Sequence, residues 1–349
     1  MRYKLLGHSG LRVSELCLGT MTFGEDWGWG AGKDESRKIF DAFAEAGGNF
    51  VDTADGYTNG NSERMLGEFC RATTRDKWVI ATKYSFSSRP GDPNAGGNHR
   101  KNLAAALEGS LQRLGIDRID LYWVHAWDEL TPTEEVMRGL DDVVRAGKVQ
   151  YVGVSNWPAW LISRANTLAE WRGWTPFVAI QVEYSLIERT PERELIPMAA
   201  ALGMTTLAWS PLASGMLTGK YSRDAAAGQK GGGEGKRLEK AAFTEMNERN
   251  FQIADEVKAI AQSIGKSPAQ VALAWLRARP GGNVIPILGA RKPSQFSDNL
   301  ACLDISLSDE HRKRLDDVSA IEMGYPMDFL HRQGVSDFLH GGTRGRVDA

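Results

Sequence analysis

The sequence predicts an α/β fold, a TIM (β/α)8 barrel with an N-terminal β-hairpin and extended C-terminal loops, forming a single domain over residues 1–349. Three observations predict it. Short runs rich in Val and Ile alternate with longer segments of helical period, which demands parallel strands with helices outside them. The alternation occurs eight times in roughly 290 residues, a length that suits such a barrel. Alternation alone also permits a doubly wound sheet, but no break in composition splits the chain into halves.

The elements follow in order. "YKLLGHSGLRVSEL" reads as a hairpin turning at Ser9-Gly10, placed as a plug under the barrel floor. The first unit pairs "ELCLGT" (15–20) with a helix over 34–47. The second pairs "FVDT" (50–53) with a helix from Ser62 to Arg71. Then come "WVIATK" (78–83) with 100–115, "IDLYWVH" (119–125) with 133–148, and "VQYVGVS" (149–155) with 158–172. "FVAIQVEYS" (177–185) precedes 192–203, "MTTLAWS" (204–210) precedes 250–265, and "NVIPILG" (283–289) precedes 294–303. Pro158 and Pro268 stand near helix starts, where a missing N–H costs little. Gly47, Gly115, Gly147 and Gly203 stand where helix C-caps belong. The Gly-, Lys- and Ala-rich stretch 222–247 reads as a mobile lid after the seventh strand, or as a plain surface excursion. Its "GGGEGK" lacks the spacing and the final Ser/Thr of a phosphate loop.

Composition narrows the function. Net charge is −2 with basic residues scattered, so nucleic acid is not an expected partner. No apolar run reaches the ~18 residues of a membrane span, and no secretory h-region is visible, so a cytoplasmic protein is expected. Cys17, Cys70 and Cys302 are far apart and read as buried reduced thiols, and no Cys/His spacing predicts a metal.

In a barrel the chemistry gathers at the C-terminal ends of the strands. Strand two ends at Asp52, strand three at Lys83 and strand four at His125, with Tyr57 in the turn after Asp52. Adjacent parallel strands lie ~4.8 Å apart, so these side chains fall within reach of one another. Singly each has an ordinary reading: a helix cap, a solvated lysine, a structural histidine, a packing tyrosine. Together they form an acid. A free phenol has a pKa of ~10, and an adjacent ammonium stabilises the phenolate and lowers that value. Asp52 would hold Lys83 charged, and a neutral His125 would donate to the same substrate oxygen. The set contains no obvious nucleophile and no metal cage, so the electrons must come from elsewhere, and a reduced nicotinamide is the natural donor. A Schiff-base aldolase on Lys83 ranks low, because the neighbouring carboxylate keeps the amine protonated.

"FVDTADGY", "ATKY" and "DLYWVHAWD" resemble the catalytic blocks of the aldo-keto reductases, and the likeness runs from "YKLLGHSGLRVSELCLGTMTFG" to "ILGARKPSQFSDNLACLD". The branch resembled is the aryl-alcohol-dehydrogenase-like one, which is also similar to the beta subunits of potassium channels. The resemblance implies a TIM barrel that reduces aldehydes and ketones with NADPH. It implies Tyr57 as proton donor, Lys83 and Asp52 as its tuning pair, and His125 as the orienting residue. It places Ser155, Asn156 and Gln181 at the carboxamide, Trp209 against the nicotinamide ring, and Thr20 and Met21 at the nicotinamide ribose, beside Asp52. Ser210, Pro211, Leu212, Gly215 and Lys220 would follow the pyrophosphate. Gly289, Arg291, Gln295, Asp298 and Asn299 would surround the 2′-phosphate and adenine. Some branches of the family carry a lysine where Gly289 stands and an arginine where Gln295 stands. Preference for NADPH then leans on Arg291, with Lys220 or Lys292 assisting, and NADH stays admissible. No GxGxxG follows the first strand, so a Rossmann dehydrogenase is disfavoured.

The expected substrate is a small carbonyl compound, with an aromatic one admitted, walled by Trp27, Trp29 and Trp127, or else these tryptophans pack loops together. The tail 324–342 is expected either to close over that pocket or to meet a second subunit, which admits an oligomer. The alternative function is a redox-sensing regulatory subunit that holds cofactor tightly and turns over little.

Overall fold

The computed structural model describes residues 1–221, 223, 244–279 and 283–347. Most of the stretch read as a lid, 222 and 224–243, lies outside the described residues. The hairpin strands are β1 (Tyr3–Leu5) and β2 (Arg12–Ser14), antiparallel with Lys4 opposite Val13. Eight parallel strands then close a barrel: β3 (Cys17–Gly19), β4 (Phe50–Asp52), β5 (Val79–Tyr84), β6 (Ile119–Val124), β7 (Val149–Ser155), β8 (Phe177–Glu183), β9 (Thr205–Trp209) and β10 (Val284–Leu288). β10 pairs with both β3 and β9, which completes the ring.

Side chains alternate across each strand, so every second residue faces the barrel interior. Phe50, Val79, Ala81, Leu121, Trp123, Ala179, Leu207 and Ile285 form that inner core, with Leu6 and Val13 of the hairpin packed against it. The hairpin therefore seals the floor. Its Lys4 Nζ donates to Val284 O at 2.8 Å, and Gly7 N donates to Thr205 Oγ1 at 2.7 Å. Gly7 has a left-handed φ of +57°, and a Cβ there would meet Val178 O at 2.2 Å, so only glycine fits this approach.

Helices cover the outside. They are α1 (Lys33–Glu45), α2 (Asn61–Arg71), α3 (Arg100–Leu114), α4 (Thr133–Arg145), α5 (Ala159–Arg172) and α6 (Leu195–Ala201) in the first six units. The expected cap glycines Gly47, Gly115, Gly147 and Gly203 all have positive φ. Among the described residues two helices, not one, lie between the seventh strand and the eighth: α7 (Glu248–Ser263) and α8 (Pro268–Arg277). Ser267 and Gln270 close a capping box at the start of α8, with Pro268 in its first turn. After α9 (Pro293–Leu300) comes α10 (Asp309–Val318), and the tail adds the short α11 (Met327–Leu330) and α12 (Gln333–His340) where extended loops were expected. Cys17, Cys70 and Cys302 are buried and free. Among the described residues no helix is long and apolar enough to cross a membrane.

Candidate active site

The C-terminal ends of β4, β5 and β6 bring the four central residues together. Asp52 is the last residue of β4, Lys83 sits one before the end of β5, and His125 directly follows β6. Inward alternation aims all three at the barrel mouth, and Tyr57 reaches over them from the turn after β4. Lys83 is fully buried and its Nζ makes three bonds: to Asp52 Oδ2 at 2.5 Å, Thr53 O at 2.7 Å and Tyr57 Oη at 3.3 Å. Gln181 Nε2 donates to the other oxygen of Asp52 at 3.0 Å. A buried ion pair is tolerated when its remaining lone pairs and protons are matched, and here they are.

Burial alone would lower the Lys83 pKa, but Asp52 and Tyr57 together outweigh this and raise it, so the ammonium persists. Burial also pushes the Asp52 carboxyl up, with Lys83 and Gln181 pulling against that. Tyr57 differs from the expectation. Lys83 does pull its pKa down, but burial of the phenol outweighs that pull and the net direction is upward. The expectation counted the charge and not the desolvation. The ring therefore rests as a neutral phenol with a cation beside its oxygen. His125 is held well below its ordinary 6.5, first by burial and then by Lys83, so its imidazole is neutral. Its Nδ1 is buried without a partner, which leaves Nε2 as the nitrogen to meet a ligand. The His125 ring stands edge-on to Tyr57, with centroids 5.9 Å apart, and Phe86 leans on it at 4.5 Å.

These groups open into a cavity of about 940 Å³. Its lining includes Asp52, Tyr57 and His125, together with Met21, Ser155, Asn156, Gln181, Trp209, Ser210, Pro211, Leu212, Gly215, Lys220, Gly289, Arg291, Gln295, Asp298 and Asn299. Thr20 stands apart from the lining. It is fully buried, its hydroxyl lies 2.8 Å from Ser62 Oγ, and its neighbours Gly19, Met21 and Thr22 line the cavity instead. Strand alternation turns Thr20 away from the mouth. Of the three tryptophans, Trp27 and Trp29 line the cavity and Trp127 does not, while Phe86 and Ser87 do. No described residue of the tail lines it.

The two ends of the cavity differ. Beyond β9 the backbone is left-handed at Ser210, Ala213, Ser214 and Gly215, and the amides of Ala213, Ser214 and Gly215 donate within this turn, to Ser210 O, Ser210 Oγ and Leu212 O. The N-terminus of α8 faces the same end through Ser267, Pro268 and Ala269, which the sequence reading did not assign to the site. Their signal was the Ser-Pro-x-Gln start of a capped helix. Lys220 and Arg291 add cations there. Asp298 is tied to the α8 cap, accepting from Ser267 Oγ and from Gln270 Nε2, each at 2.8 Å. Nearer the centre, Ser155 Oγ donates to Gln181 O at 2.8 Å, and Asn156 Nδ2 donates to His125 O at 2.9 Å. Trp209 Nε1 donates to Asn156 Oδ1 at 3.4 Å, which sets the indole beside that polar pair. One long cavity thus joins an anion-seeking end to an aromatic, acid-bearing end.

Comparison with known proteins adds to this geometry. The Aldo/keto reductase family matches residues 15–320. Norsolorinic acid reductase of Aspergillus flavus is 36% identical over 93% of this chain and 83% of its own length. An aryl-alcohol dehydrogenase [NADP(+)] of Phanerodontia chrysosporium is 38% identical over 91% of this chain and 85% of its own. A putative aryl-alcohol dehydrogenase of Saccharomyces cerevisiae is 35% identical over 92% and 87%.

Proposed function

The chain belongs to the aldo/keto reductase family, and from that premise we propose that it reduces aldehydes and ketones to alcohols with NADPH, using Tyr57 as general acid. One observation carries the proposal: a buried ammonium, clamped by Asp52, lies 3.3 Å from the Tyr57 hydroxyl at the cavity mouth. When bound, the reduced nicotinamide supplies the hydride. The residues supply the rest. The neutral phenol holds the proton that a developing alkoxide needs, and Lys83 stabilises the phenolate left behind. Asp52 keeps Lys83 charged and fixed in direction. His125, neutral, offers an N–H to the same oxygen. Trp27, Trp29 and Phe86 favour an apolar, aromatic substituent on the carbonyl carbon, in keeping with relatives named for aryl alcohols and norsolorinic acid.

The cavity fits the dinucleotide in kind. A helix N-terminus and the cations Lys220 and Arg291 suit phosphates, and Ser155, Asn156 and Gln181 suit a carboxamide beside the Trp209 ring. Arg291 is the side chain we assign to discrimination of NADPH from NADH.

The test is Tyr57→Phe. With an activated aromatic aldehyde, turnover is expected to fall by about 10²–10⁴, while NADPH affinity is retained. Full activity in that variant would defeat the mechanism. Wild-type protein that binds NADPH tightly and releases it without turning over would instead favour the regulatory-subunit reading.

A further inference from the structure

We propose that Thr58 is a positioning residue that locks the acid Tyr57 and the tryptophan wall into one unit, and so sets preference for aromatic over small aliphatic carbonyls. The inference rests on the reading of Tyr57 as the acid.

Thr58 follows Tyr57 directly and has φ 46° and ψ 46°, followed by left-handed Asn59 and Gly60. A β-branched residue is a genuine outlier in this region and persists only where its surroundings over-determine it. Here they do. The side chain is fully buried. Its Oγ1 donates to Phe23 O at 2.7 Å and accepts from Ser62 N at 3.0 Å. The second bond satisfies an amide in the first turn of α2 that has no intrahelical partner. Ser62 Oγ in turn donates to Thr20 O at 2.7 Å and lies 3.0 Å from Thr53 Oγ1. Thr53 O is a ligand of the Lys83 ammonium. One buried knot of hydroxyls therefore joins β3, β4, α2 and the Tyr57 turn.

The same hydroxyl reaches the wall. Phe23 opens a loop closed by Gly24 N to Ala31 O at 2.9 Å and Ala31 N to Thr22 O at 2.7 Å. That loop carries Trp27 and Trp29, whose rings lie 5.6 Å apart. Trp27 stands edge-on to Tyr57 at 6.3 Å. At Gly24, a Cβ would come within 2.8 Å of Thr58 Oγ1, so the loop is seated against Thr58 without slack. An exposed bond from Asn61 Nδ2 to Asp26 Oδ1, 2.7 Å long, is the second tie. Thr58 does not line the cavity, so its effect on a ligand passes through Tyr57 and Trp27.

The experiment measures kcat/KM for 2-naphthaldehyde and for propanal, with NADPH affinity by fluorescence titration, in wild type, Thr58→Val, Thr58→Ser and Tyr57→Phe. Thr58→Val keeps shape and loses both bonds, so the ratio of naphthaldehyde to propanal kcat/KM is expected to fall by about tenfold or more, with NADPH affinity retained. Thr58→Ser keeps the hydroxyl and is expected to retain the ratio. Thr58→Gly, which relaxes the backbone and also lacks the hydroxyl, replaces Thr58→Val if the latter does not fold, and is expected to lose the ratio too. An unchanged ratio in the hydroxyl-less variant, or equal losses on both aldehydes with weakened NADPH binding, would overturn the proposal. Activity surviving in Tyr57→Phe would overturn the acid reading itself, a result separate from either.

Discussion

The two ends of the cavity are built from different materials. At the ends of β4, β5 and β6 the chemistry is in side chains that are buried and mutually bonded: Lys83, Asp52, Gln181, with Tyr57 and His125 above them. Beyond β9 it lies largely in a helix N-terminus and in the cations Arg291 and Lys220, the latter exposed. The contrast separates two demands. An acid must be tuned to a narrow range, which takes low dielectric and fixed partners. A phosphate needs many donors but little tuning, and amides that point one way supply them at any pH.

The contrast predicts unequal costs. Lys83→Met strips the cation from under Tyr57 and leaves Asp52 buried and unpaired. Turnover is expected to fall by about 10²–10⁴. Urea unfolding should show about 3–5 kcal/mol lost. A Lys83→Met protein as stable as wild type would break the comparison. Arg291→Ala at the other end is expected to weaken NADPH about 10- to 100-fold, the worth of a charged hydrogen bond, and to leave NADH affinity alone. Its stability should change by no more than about 0.5 kcal/mol. Titration of both nucleotides checks this, and equal loss for both would remove Arg291 from the 2′-phosphate.

The smallest effect is on pH. The folded His125 pKa lies well below the ordinary 6.5, so above pH 6.5 the imidazole is neutral folded or unfolded and contributes nothing. Below 6.5 the unfolded chain takes up a proton that the fold refuses, so stability falls with pH, by up to about 1.4 kcal/mol per unit. Between pH 7.5 and 5.5, wild type should therefore lose more unfolding free energy than His125→Gln. Equal losses would mean His125 titrates normally and is not sealed in the acid end.

How much of this was legible follows the same division. Asp52, Lys83 and His125 stood out because strand alternation and strand order are written in residue type. The hairpin and the cap glycines were equally plain. What depends on three-dimensional burial was not. The upward shift of Tyr57 needs the desolvation of its ring, and no spacing reports that. Resemblance alone places Thr20 at the ligand, and only the fold reveals that its hydroxyl lies against Ser62. Trp127 and Phe86 are both aromatic residues just after strands, and only the loops' paths decide which one meets His125. Thr58 carries no reading of its own and Ser62 only that of a helix start, because nothing in "YTNGNS" reveals that their hydroxyls converge. Helix α10 went unassigned since Leu315 is its one fully buried residue, too few apolar positions to show a period.

The sealed floor ties the chain's synthesis to its folding. Lys4 leaves the ribosome long before its acceptor, Val284 O, which follows 280 positions later. Gly7 waits 198 residues for Thr205. The hairpin can settle early beside β4, through Tyr3 Oη to Gly47 O and Ser14 N to Asn49 Oδ1, but the bonds of Lys4 and Gly7 wait until β9 and β10 have been made. Closure of the ring is then a late, long-range event whose entropy cost falls on the final step. A tag or truncation at the leading end is expected to slow maturation far more than it disturbs the finished enzyme.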